Sequence, residues 1–94
     1  MVHMRIVVPA YQSEHVLDLL EHTPSACNVI FLERAAMKPP GDVILCDVAR
    51  EDASVIVSDL RELNVDTEGG VACEHIDAAI SGGAGGADDG AEGR

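Results

Sequence analysis

Apolar and polar positions along this chain fall into two rhythms. Met4-Arg5-Ile6-Val7-Val8, Asn28-Val29-Ile30-Phe31-Leu32, Val43-Ile44-Leu45-Cys46 and Val71 to Ile76 are short apolar runs rich in β-branched residues, as in strands buried on one face or both. Between them lie two stretches with helical spacing. Val16, Leu17, Leu19 and Leu20 form one stripe behind Ser13, a residue suited to cap the helix. Ala53, Ile56, Val57, Leu60 and Leu63 form the other, in a helix expected over about Arg50 to Leu63, with Glu51, Asp52, Ser58, Asp59, Arg61 and Glu62 turned mostly outward. The boundaries have physical causes. Pro9 has no amide hydrogen to offer a ladder and ends the first strand. Pro24 pushes Thr23 out of the helical region, and Asn64 suits a left-handed stop.

The stretch from Pro39 to Asp52 ties these pieces together. Pro39-Pro40-Gly41 reverses the chain, Asp42 to Val48 delivers a strand, and Glu51-Asp52 places negative charge where a helix start favours it. A polar connection, Glu33 to Lys38, precedes the turn. If residues 26 to 33 pair with 42 to 48, the reversal is a long hairpin rather than a tight one, and Cys27 lies near Cys46. The order strand, helix, strand, strand, helix, strand predicts an α+β ferredoxin-like split βαββαβ sandwich. It has a four-stranded antiparallel sheet, the first and third strands at its centre, and two helices on one face. Residues 5 to 32 and 43 to 76 follow the same schedule. The other face of so apolar a sheet would be an exposed hydrophobic patch, and self-association through the sheet, or docking on another domain, is the expected use of it.

Composition adjusts this picture at the edges. With 94 residues the chain is one domain, assigned to residues 1–80. Residues 81–94, mostly Gly, Ala and acidic, read as a disordered tail or linker. Tyr11 and Phe31 are the only aromatics, so Val, Ile, Leu and Ala must build the core. Seventeen acidic against six basic residues give a formal net charge of −11, which argues against nucleic acid and anionic headgroups as partners. Cys27, Cys46 and Cys73 match no zinc or redox spacing, and each falls in or beside an apolar strand, where cysteine acts as a small buried hydrophobe. No cofactor motif is present and no apolar run is long enough to span a bilayer. A soluble chain in a reducing compartment, the cytoplasm, is expected.

With the strands placed, the chain resembles the soluble N-terminal region of the multi-span membrane proteins catalogued as domain of unknown function 389, in its actinobacterial form. The resemblance covers about residues 4 to 81. Met4 to Leu20, with Val16-Leu17-Asp18-Leu19-Leu20, carries it together with Asn28-Val29-Ile30-Phe31-Leu32; Pro39-Pro40-Gly41-Asp42 and Asp47-Val48-Ala49-Arg50-Glu51 are the most specific segments. It implies a domain placed at a membrane surface beside a set of membrane helices, with no established reaction. Here a Gly-rich stretch follows instead, as in a portion of a longer protein or a freestanding form.

Candidate chemistry is sparse. In the split fold the loops after the first and third strands are expected to emerge at the same end of the sheet, bringing Tyr11, Gln12 and Ser13 beside Asp47 and Arg50 with two helix N-termini, a place for a small anion or metabolite. The bland alternative makes Ser13 a cap, Arg50 a partner of Asp47 or Glu51, and Tyr11 a surface aromatic. His15 and His22 share a helical face near Cys27, but solvated histidines explain them better than a metal. Glu74-His75 with Asp77 is not a triad, since neighbouring strand residues point to opposite faces. No catalytic set and no metal site are assigned. The expected function is a non-enzymatic regulatory or oligomerisation domain of a multi-span membrane protein, with a transport-related role implied only by the domain arrangement. The alternative is a freestanding small-molecule or metal sensor.

Overall fold

The computed structural model describes residues 1–77. Its elements are β1 (Val2–Val8), α1 (Ser13–Glu21), β2 (Cys27–Met37), β3 (Pro40–Val48), α2 (Arg50–Glu62), a short α3 (Val65–Glu68) and β4 (Gly70–His75), with a 3-10 turn at Ala10–Gln12. The sheet order is β2-β3-β1-β4 with every neighbour antiparallel. This is the split arrangement the order of elements predicts. The expected tail at residues 81–94, and the domain's limit at residue 80, lie outside the described residues.

Alternation in β1 sorts its two faces. Val2, Met4, Ile6 and Val8 are buried, and so are Ile44, Cys46 and Val48 of β3. They meet Val16 and Leu20 of α1, Ala53, Ile56 and Leu60 of α2, and Val65 of α3 in one core. α1 and α2 pack the stripes their apolar spacing predicts. Asn64 adopts φ 62°, the left-handed stop expected of it, and starts α3, which no apolar stripe announced.

The hairpin departs from expectation. β2 runs to Met37, and only Lys38-Pro39, joined by a cis peptide bond, separate it from β3, so the reversal is tight. The segment read as a polar connection is strand. Asn28 and Arg34 lie where the β2–β3 register shifts, both with positive φ (52° and 55°), and these irregularities let the ladder resume through Ala36–Gly41 and Met37–Pro40. Asp42, 3% exposed, accepts the Arg34 amide at 2.7 Å and so holds the second shift in place. Gly41 is required beside it, because a Cβ there would run into the Val8 carbonyl oxygen.

Ser13 is not the cap. Gln12 occupies that position without a side-chain cap bond, and the Ser13 hydroxyl donates to Asp42. Cys27 and Cys46 are buried, whereas Cys73 is exposed on β4 at the sheet's edge.

Candidate functional site

The five residues placed in one pocket by sequence reasoning do not meet. β1 and β3 are antiparallel, with Val8 opposite Asp42 and Val2 opposite Val48. The loop after β1 therefore leaves at one end of the sheet and the loop after β3 at the other, about 20 Å apart at about 3.3 Å per residue. Tyr11, Gln12 and Ser13 sit at the first end. There the Tyr11 hydroxyl donates to Glu68, Gln12 Nε2 donates to the Leu63 carbonyl at 2.9 Å, and Ser13 donates to Asp42. The Glu68 carboxylate holds the Tyr11 phenol above its ordinary pKa, chiefly by that hydrogen bond. All three fasten the 3-10 turn and α1 to the rest of the fold. The Asp42 carboxyl is held below its usual range, first by the Ser13 hydroxyl and then by the Arg34 amide.

Asp47 and Arg50 belong to the second end and point to different uses. Asp47 is buried and pairs with His3, Nδ1 to Oδ1 2.7 Å, while Asn28 Nδ2 donates to its other oxygen at 2.9 Å. Arg50 is exposed and, among the described residues, pairs with neither Asp47 nor Glu51 nor any other carboxylate. The start of α2 is held instead by Ser25, whose hydroxyl accepts the Ala49 amide at 3.0 Å and donates to Asp52 at 2.6 Å.

The feature with functional weight is the sheet face away from the helices. Register places three rows across it: Glu74, His3, Asp47 and Cys27; then Ala72, Arg5, Leu45 and Ile30; then Gly70, Val7, Val43 and Leu32. Ile30 is 47% exposed and Leu32 42%, and Val7, Val43 and Leu45 are only partly covered. No described element covers this apolar group, the patch the sequence predicts for an unpartnered sheet. Charge is distributed to match. The three helices hold nine acidic residues against Arg50 and Arg61, while the rest of the described chain holds five acidic residues, two of them the buried Asp42 and Asp47, against Arg5, Arg34 and Lys38.

Chemistry of other kinds finds little here. Asp47 stands between His3 and Cys27 in its row, so the imidazole and the thiol are not arranged as a base and a nucleophile. Burial pushes the Cys46 thiol up to about 12, aided by the nearby Asp47 charge. His15 contacts the Gln12 side chain and His22 the Asp18 carbonyl, and among the described residues no three His, Cys, Asp or Glu side chains gather as a metal site requires. No described helix is long and apolar enough to cross a membrane. Sequence reasoning missed Asp42, Ser25 and Asn28. Asp42 had a signal, since an acid following Pro-Pro-Gly at a strand start must satisfy its carboxylate somewhere. No protein-family profile, curated protein or solved structure matches the chain.

Proposed function

We propose that this domain is a non-enzymatic assembly and regulatory module that pairs with a second copy of itself through the open face of the sheet. The exposed Ile30 and Leu32 with the partly buried Val43, Leu45 and Val7, on the side where acidic charge is sparsest, carry the reading. Face-to-face pairing keeps the two acidic helical layers on the outside, where their repulsion is weakest. The face spans four strands of about seven residues, about 19 Å by 23 Å, or roughly 440 Å² before side-chain relief. That falls short of the roughly 800 Å² per partner of a standard interface, so a reversible pair is expected rather than a permanent one. On the resemblance of the segments around Pro39 to Asp42 and Asp47 to Glu51, such a module would serve a multi-span membrane protein, at the membrane surface and on its cytoplasmic side. The non-enzymatic part rests on the placement of His3 and Cys27, which Asp47 separates in its row, so that among the described residues they do not meet as base and nucleophile.

Sedimentation velocity across a wide concentration range tests the pairing. The wild-type chain should shift from monomer to dimer, and Leu32→Glu should remain monomeric. Val55→Glu adds the same charge on an exposed position of α2 and should dimerise like the wild type. A wild-type chain that stays monomeric throughout, or a Leu32→Glu variant that still dimerises, overturns the assignment.

A further inference from the structure

A second surface lies at the opposite edge of the sheet and owes nothing to the open face. β4 pairs only with β1, so among the described residues its outer side has no strand neighbour. The Ile76 amide donates to the Met1 carbonyl at 3.0 Å, which makes Met1 and Ile76 a hydrogen-bonded pair. In an antiparallel ladder such pairs alternate with pairs whose amides and carbonyls point away. Following the register back, Glu74, Ala72 and Gly70 turn their backbone groups toward β1, and His75, Cys73 and Val71 turn theirs outward. Cys73 stands opposite Met4 and His75 opposite Val2, so both side chains are on the helix-covered face.

On that same side a groove of about 380 Å³ runs between α2 and β4. Ala53, Val57, Cys73 and His75 line it together with Arg50 and Arg61. The two arginines are eleven residues apart on one helix. That is close to three whole turns, so they share a face about 16 Å apart. Five residues of extended chain cover about the same length. Neither arginine has an ion-pair partner among the described residues.

We infer that the outer edge of β4 accepts an extended acidic segment of a partner protein as a fifth strand, lying in the groove beneath α2. The outward amides and carbonyls of Val71, Cys73 and His75 supply the ladder. Of the segment's alternate side chains, those turned toward α2, a central apolar one enters against Ala53 and Val57 and a carboxylate at either end reaches Arg50 or Arg61. A basic segment would meet the arginines as like charges and be refused.

The probe is the peptide Glu-Thr-Val-Thr-Glu, whose two glutamates and valine share one face of an extended strand; its lysine–valine counterpart carries lysine at both ends, and each is blocked at both termini and titrated into the full chain labelled with nitrogen-15. Shifts at the Val71, Cys73 and His75 amides are expected, together with slower alkylation of the exposed Cys73 thiol. Arg50→Ala with Arg61→Ala should weaken binding at least tenfold, and both positions are exposed, so the fold should survive. Arg50→Glu with Arg61→Glu should instead bind the lysine–valine counterpart. N-methylation of the peptide on its ladder-facing amides should abolish binding to either form. No shift at millimolar peptide overturns the inference, as do shifts confined to β2, or equal binding of the lysine–valine peptide by the wild-type chain.

Discussion

The two helix starts solve one problem in opposite ways. At α1 the helix contributes a hydroxyl, Ser13, and the start of β3 contributes the carboxylate, Asp42; at α2 the helix contributes the carboxylate, Asp52, and the segment before β2 contributes the hydroxyl, Ser25. The roles are exchanged between the two halves of the fold. Burial differs as well. Asp42 and Ser13 are enclosed, and the Asp42 carboxylate also takes the Arg34 amide, so it ties a helix start, a strand start and an irregular position of the hairpin together. Asp52 and Ser25 are only partly covered and secure one further group, the Ala49 amide. A carboxylate that ends up buried without a cation must collect several donors; one at the surface can share its load with water.

The sharpest way to break this comparison is Gly41→Ala. Its new methyl group meets the Val8 backbone, which cannot give way as a side chain would, and a loss of about 1–3 kcal/mol is expected in urea unfolding. Asp42→Ala should follow, with a larger drop in thermal midpoint than any single change at the α2 start, because it strands the Arg34 amide and the Ser13 hydroxyl together. The same residue sets an acid response. Its folded pKa lies below its ordinary 3.8, so between the two values the unfolded chain holds a proton that the native chain does not. Stability there rises with pH, and it is lost as pH falls below about 3.8 through the depressed value. Asp42→Asn should flatten that limb of a stability-against-pH curve; an unchanged limb would show that other carboxylates govern it. Ser25→Ala should cost about 1 kcal/mol, the usual worth of a helix-start cap. Tyr11→Phe, which removes an exposed contact to Glu68, should leave the thermal midpoint within experimental scatter.

Much of this fold was legible because its cues are local. Pro9 stops β1, Thr23-Pro24 closes the first helical stretch, Asn64 takes its left-handed turn, and the stripe from Ala53 to Leu60 faces the core. The extension of β2 was not, since Arg34 reads as part of a polar link until the Asp42 carboxylate arrives from across the hairpin to hold its backbone. The misplaced pocket is different in kind. With β1 and β2 parallel through the helix between them and β3 reversed by the hairpin, β1 and β3 must run in opposite directions, so Ser13 and Arg50 could never share an end. That parity was available from the order of elements. The open face was foreseen from apolar runs alone, but Arg5 in its middle row and the His3, Asp47 and Asn28 cluster at its rim needed the register.

The concentration of acid on the helices also shapes how the molecule travels. Among the described residues the centre of charge lies toward the helical side of the centre of mass, so a field or a neighbouring charged body exerts a torque on this domain as well as a force. Two such molecules drifting together in dilute salt turn their helices away from each other before they touch. At physiological ionic strength, where charges more than about 8 Å apart are largely screened, that steering fades and encounters become randomly oriented.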